Sequence, residues 1–355
     1  MAMTAVPADP TLQERELLEA ARGGDEDAYR RLVEPHRSEL HAHCYRMLGS
    51  VHDAEDALQD ALLRAWRGLP KFEARSSLRS WLYRIATNAC LDAIGKRPTR
   101  VLPVDYGPPR DPHDGPLIPL ADSVWVEPYP DERLGLLDGR AAPDARYEQR
   151  EGVELAFVAA LQHLPARQRA VLILREVLGF SAREVADTLD STVASVNSAM
   201  QRARKAVDEL APERTQQATL RALGDDKVKQ MVERYMRAWE QGDVETVAAM
   251  LAEDACLTMP PMPTWFRGRD DVLVFLREWA FSGRAYDAEG RRRVRVLPAR
   301  ASGQLAFATY AWDDEARAHR PTVLQVLTLR GEQITEVTGF VSPEPFRRFG
   351  LPASV

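Results

Sequence analysis

The 355-residue sequence predicts a multidomain chain: two all-α units, the second a helix-turn-helix, then an α+β domain with a curved sheet. Three observations carry this. Apolar residues recur at helical spacing through residues 1–100 and again through 148–212. The intervening residues 101–147 hold nine of the 24 prolines and little periodicity. Near the C-terminus, strand-like runs replace the helical pattern.

In the first unit, LQERELLEAARGG is amphipathic and stops at a Gly pair. DEDAYRRLVEPHRSELHAHCYRMLGS continues as helix, with Gly49 as a left-handed cap. DAEDALQDALLRAWRGLP starts acidic, which complements the helix dipole, and ends at Gly68 and Pro70. SSLRSWLYRIATNACLDAIGKRP starts at a Ser pair and ends at Gly95 and Pro98. Residues 101–147 read as a linker in which VWVEPYPD offers Trp125 and Tyr129 for docking. RYEQREGVELAFVAALQHL, PARQRAVLILREVLGF and SAREVADTLD are helical again, and 213–225 read as a polar linker. In residues 226–355, VKQMVERYMRAWEQGDVETVAAMLAED gives two helices around Gly242, and RGRDDVLVFLREWAF a third. RRVRVLPAR, QLAFATYAW, TVLQVLTLR and QITEVTGFV follow as an antiparallel meander, with turns at Ser302-Gly303 and Gly331-Glu332.

Composition narrows the function. No apolar run approaches the ~20 residues of a membrane span, and the N-terminus lacks a secretory pattern. Three widely spaced cysteines, Cys44, Cys90 and Cys256, fit reduced thiols in a cytoplasmic protein. Net charge is −6, and nine acidic against four basic residues in 101–147 account for most of it. The chain therefore lacks the basic excess of a self-sufficient nucleic-acid binder. No Gly-rich phosphate loop, GxSxG or HExxH occurs. His41, His43 and Cys44 share one helical turn, but their spacing does not converge on a metal. No cofactor, metal or membrane partner is expected.

The most informative stretch is SAREVADTLDSTVASVNSAMQRARK. Ser181 and Glu184 form a capping box, and Val185, Ala186 and Leu189 an apolar stripe. After a tight turn at Leu189-Asp190, Ser191 or Thr192 can cap a second helix. Val193, Val196, Met200 and Ala203 share its packed face. Ser195, Asn197, Ser198, Gln201 and Arg202 lie mostly on the other side. That pattern fits a DNA-reading helix, with Arg204 and Lys205 on phosphates, or an ordinary helical hairpin with a solvated face.

The upstream context separates these. LPARQRAVLILREVLGFSAREVADTLDSTVASVNSAMQRARKAV resembles the −35 promoter domain of bacterial sigma-70-family sigma factors of the extracytoplasmic-function (ECF) group. HCYRMLGSVHDAEDALQDALLRAWRGLPKFEARSSLRSWLYRIATNACLDAIGKRP resembles that family's first conserved domain. The resemblance spans roughly residues 15–212. It implies binding to core RNA polymerase (its β and β′ subunits) and to promoter DNA. Asp53, Glu55, Asp56, Gln59 and Asp60 would dock on the β′ coiled coil, although an acidic first turn alone also suits the dipole. KFEARSSLRSWLYRIATN resembles the −10 recognition and melting element. It implies a loop with Phe72, Arg75, Ser76 and Ser77 around an unstacked base, Arg75, Arg79 and Arg84 on backbone, and Asn88 on a base edge. Trp81 and Tyr83 suit either core or stacking. Asn197 and Ala199 stand where the family has Lys or Arg. The acidic linker fits either the polymerase's RNA channel or a solubilising spacer.

Residues 226–350 resemble the SnoaL-like, cone-shaped barrel of the nuclear transport factor superfamily. Relatives of that fold include isomerases and cyclases with a buried Asp or His as base. Here His319 falls in an exposed loop by sequence, Asp254, Asp270 and Asp271 are available, and Met259, Met262, Trp265 and Trp279 can line a ligand cavity or fill it. The expectation is a non-enzymatic, regulatory domain. It would contact the sigma domains in cis and stand in for a separate anti-sigma protein. The alternatives are a stand-alone helix-turn-helix regulator with a ligand-binding domain, or a C-terminal small-molecule enzyme.

Overall fold

The structure is a computed structural model that describes residues 10–73, 76–121, 124–134, 150–210, 214–281 and 293–355. The first unit contains α1 (Pro10–Arg22), α2 (Glu26–Val33), α3 (Arg37–Leu48), α4 (Val51–Gly68) and α5 (Leu78–Ile94). Asp25, Ser50 and Ser77 cap α2, α4 and α5 with their side chains. The sequence reads α2 and α3 as one helix. They are separate because a 3-10 turn with Pro35 intervenes at Glu34–His36. Gly49 ends α3 at φ 69°, as the sequence predicts.

The second unit holds α6 (Leu155–Gln162), α7 (Ala166–Leu172) with a π turn at Ile173–Val177, α8 (Ala182–Thr188) and α9 (Val193–Leu210). Residues expected as a polar linker form α10 (Gln216–Leu223), in which Gln216, Gln217 and Thr219 are buried.

The last domain runs α11 (Asp225–Gln241), α12 (Val244–Met250), β1 (Leu251–Thr258), β2 (Trp265–Arg267), α13 (Arg269–Phe275), β3 (Val294–Ala301), β4 (Gln304–Asp313), β5 (Ala318–Arg330), β6 (Gln333–Phe340) and α14 (Glu344–Arg348). The sheet order is β2-β1-β6-β5-β4-β3. Strand β1 corrects the helical reading of Leu251–Asp254. It pairs parallel with β6, and that distant partner overrides local helix propensity. The β3–β4 turn falls at Ser302 and Gly303, whose φ angles of 55° and 69° suit a tight hairpin.

Strand alternation splits the sheet between two cores. Leu305, Phe307, Leu327 and Leu329 pack with Tyr235, Val247 and Phe275 inside the last domain. Ala306, Ala308, Tyr310, Leu324 and Val326 join a second cluster that continues into α3–α9. One face of the sheet thus belongs to the helical units.

Candidate nucleic-acid interface

The helix-turn-helix forms as read. Ser181 and Glu184 make the reciprocal capping box of α8. Asp190 takes φ 48° in the turn, and Thr192 Oγ1 accepts the Ser195 N–H at 3.2 Å. Val196, Met200, Ala203 and Val207 are buried. Val193 is 44% exposed, so it is not part of the packed face: it stands in the first turn of α9, before the stripe meets α8. Ser195, Asn197, Ser198, Gln201, Arg202, Arg204 and Lys205 are all exposed, and Arg204 pairs with Glu176. Ala199 is half-buried against the core.

The −10 candidates lie on and before α5. Phe72 is buried, with its ring 4.7 Å from that of half-buried Trp81, so it belongs to the core and not to an open loop. Arg75 lies outside the described residues. Ser76 is exposed, and Ser77 Oγ accepts the Ser80 N–H at 3.1 Å. Arg79 reaches Glu39 at 3.2 Å and stacks over Tyr83 and Phe180. Arg84 pairs with Asp190 at 3.1 Å, and Asn88 is half-buried. Phe180 and Asp190 belong to the second unit. The helix-turn-helix unit therefore sits on the α5 surface, while the exposed face of α9 points to solvent.

The acidic face of α4 is largely engaged. Asp53 is buried and accepts from Arg100 at 2.6 Å, so it is not the surface group that its helical position suggests. Arg100 also donates to the Trp125 carbonyl at 2.8 Å. Glu55 meets Arg133 at 3.0 Å and Arg37 at 3.5 Å. Asp56 meets Arg97 at 3.5 Å and Asp60 meets Arg64 at 2.7 Å, while Gln59 is exposed.

Helix α3 is the hub of the arrangement. Its carbonyls at Arg46 and Met47 accept from Gln162 Nε2 (3.2 Å) and Arg169 Nη1 (2.5 Å), both from the second unit. Arg46 Nε returns a bond to the Gly152 carbonyl at 2.8 Å. A buried cation thus completes a helix C-terminus across domains. Helical periodicity alone does not mark these residues. The available signal was Arg169, a cation on the apolar face of ARQRAVLIL. His41 bonds Tyr129 Oη (2.8 Å) and His43 bonds Thr87 Oγ1 (2.9 Å), so the two imidazoles diverge. Burial holds both neutral, lowering them to about 4 and about 3.

The linker docks between α3 and the sheet. Tyr129 is fully buried, its N–H donates to Ser302 Oγ (3.0 Å), and its carbonyl accepts the Ser302 N–H (2.7 Å). Glu127 accepts the Val51 N–H at 2.9 Å and pairs with Arg348 at 2.7 Å. Glu154, at the start of α6, accepts the backbone N–H groups of Gln216 and Gln217 at 3.0 Å each. The Gln216 amide then donates to the Leu329 carbonyl (3.0 Å) and accepts its N–H (2.7 Å).

In the last domain, Met259 and Met262 lie in the apolar core. Trp265 Nε1 donates to the Gly107 carbonyl at 2.8 Å, and half-exposed Trp279 to that of Pro112 at 3.2 Å. The tryptophans thus hold the linker. His319, expected in an exposed loop, lies in β5 at 9% exposure, edge-on to Trp312. Pairing with β4 and with Val355 encloses it. Asp254 is exposed, and its bond to Arg330 at 2.6 Å holds the carboxyl below the usual range. Asp270 and Asp271 occupy the exposed first turn of α13.

Three families match consecutive parts of the chain: Sigma-70 region 2 over residues 32–99, Sigma-70 region 4 over 154–207, and a SnoaL-like domain over 232–337. The ECF RNA polymerase sigma factor SigG of Mycobacterium tuberculosis is 39% identical over 334 residues, 94% of this chain and 86% of that protein. The ECF RNA polymerase sigma factor SigW of Bacillus subtilis is 29% identical over 195 residues, 54% of this chain and 92% of that protein. Among solved structures, the extracytoplasmic function sigma factor SigJ of Mycobacterium tuberculosis superposes with a TM-score of 0.54 at 22% identity, covering 89% of this chain and 97% of that one; it shares the fold. Domain order, relatives and architecture agree: the chain belongs to the extracytoplasmic-function family of RNA polymerase sigma factors and carries a C-terminal SnoaL-like domain.

Proposed function

We propose that this sigma factor is restrained in cis: the linker and the SnoaL-like domain hold its two promoter-reading units together until core polymerase engages them. The single observation behind this reading is the direct packing of the helix-turn-helix unit on α5, through Arg84–Asp190, Phe180 and the α3 carbonyl bonds. Promoter elements at −10 and −35 lie about 25 base pairs apart, or about 85 Å of B-DNA. Two units in contact do not reach both at once, so initiation requires them to part. In the open state, Glu55, Asp56, Gln59 and Asp60 would face polymerase. Ser76, Ser77, Arg79, Arg84 and Asn88 would serve the −10 strand. Ser195, Asn197, Ser198, Gln201, Arg202, Arg204 and Lys205 would serve the −35 duplex. The restraint takes the role of a separate anti-sigma protein, and the protein acts in the cytoplasm as a regulator rather than a catalyst.

Run-off transcription with core polymerase tests this. Asp190→Asn keeps a residue that tolerates the left-handed turn but removes the charge facing Arg84. It should raise promoter-specific transcript above wild type. An unchanged or lower yield at equal protein stability counts against restraint. Absence of any core-dependent transcript from either protein would overturn the sigma activity itself.

A further inference from the structure

A cavity of about 390 Å³ opens where four separate parts of the chain meet: the linker at Pro130–Glu132, Arg150 ahead of α6, the end of β3 at Pro298–Arg300, and the C-terminal Phe349 and Leu351. That volume is within the range of small-ligand sites. Two guanidinium groups, Arg150 and Arg300, line it beside a single enclosed carboxylate, Asp131. Asp131 Oδ1 accepts the Gly303 N–H at 2.8 Å, and its carboxyl feels both guanidinium charges, so it offsets one of the two cations. The Arg150 Nε is buried and has no hydrogen-bond partner. Burial makes the cationic form of Arg300 less favourable, the Asp131 carboxylate favours it, and the charge of Arg150 opposes it. Glu132 is exposed at the rim. The remaining walls are apolar: Pro130, Pro298, Phe349 and Leu351. Two cations with an incompletely satisfied donor, set against an apolar wall, suit an anion with a hydrophobic body.

We propose that this junction cavity binds a small organic acid, its carboxylate between Arg150 and Arg300 and its apolar body against Pro298, Phe349 and Leu351. The ligand would touch all four segments. These segments separate if the chain opens, so occupancy favours the closed arrangement.

Benzoate is a suitable probe, with benzamide as its neutral isostere. Calorimetric titration of the full chain should show benzoate binding in the millimolar range expected of so small a ligand, and much weaker binding of benzamide. Arg300→Gln should weaken benzoate about tenfold or more, because it removes a charge-assisted bond. Ala299→Trp should fill the cavity and abolish binding without lowering the melting temperature of the unliganded protein. No benzoate binding, equal binding of benzamide, or retention of affinity in both variants overturns the site. The effect on transcription rests on the proposed restraint: benzoate should lower run-off yield from wild type and not from Ala299→Trp. Binding without that effect overturns the coupling and leaves the site standing.

Discussion

Gly303 lies where the sheet meets the segment that leads into the second helical unit. Its φ is 69°, and a Cβ there would lie 2.7 Å from the Arg150 carbonyl oxygen. Gly303→Ala therefore combines left-handed strain with a backbone clash and should cost about 2 kcal/mol or more in urea unfolding. A change near zero would mean that the junction is looser than described. Glu154 sits at the same junction. Burial lifts its carboxyl to about 7, against two backbone N–H bonds that pull it down. A carboxyl with a folded pKa above its unfolded value near 4.5 contributes most below that value, and the contribution is lost as pH rises through about 7. The difference is at most about 3 kcal/mol. Wild-type melting temperature should thus fall more between about pH 5 and pH 8 than that of Glu154→Gln. Parallel pH profiles would remove Glu154 from the account. On the exposed face of α9, Asn197→Lys should steepen the salt dependence of −35 duplex binding by about 0.9 in log–log slope if that face meets phosphate. An unchanged slope would place residue 197 away from the backbone.

At the scale of elements, the docked linker is the least obvious contributor to stability. Tyr129 is fully buried, packs 4.6 Å from Tyr45 and bonds His41. Tyr129→Ala should destabilise the chain by about 3–5 kcal/mol and expose the linker to protease; a proteolysis pattern like wild type would argue against docking. Trp125 and Tyr129 were recognisable from the sequence as docking residues because large aromatics stand out in a proline-rich, acidic segment. The helix-turn-helix was equally legible, since its capping box and apolar stripe lie within one short span. Strand β1 was not, because its partner β6 lies about eighty residues further on and the segment itself carries Ala and Glu. Asp53 failed for the same reason. Its helical position is visible locally, but Arg100, which bonds it inward and is itself held by the Trp125 carbonyl, lies beyond Pro98. The cavity reading of Met259 and Met262 was open in sequence, since apolar side chains that line a void and those that fill it look alike.

At the scale of the molecule, the packed state is a four-way assembly: α3 at the centre, the second helical unit on its C-terminal carbonyls, the linker along its flank, and the sheet behind both. If the chain opens for promoter DNA as proposed, the bonds between units release together, which would make the transition switch-like rather than graded. The Gln216 side chain has a consequence of a different kind. Its amide serves the Leu329 N–H and C=O as a neighbouring strand residue would, at the point where the β5–β6 register shifts. Yet Gln216 lies well ahead of residue 232, where the SnoaL-like match begins. A graft of the C-terminal domain onto another protein that starts at residue 226 or 232 would leave those two groups open inside the sheet, whereas one that starts at Thr215 would carry its own missing rung.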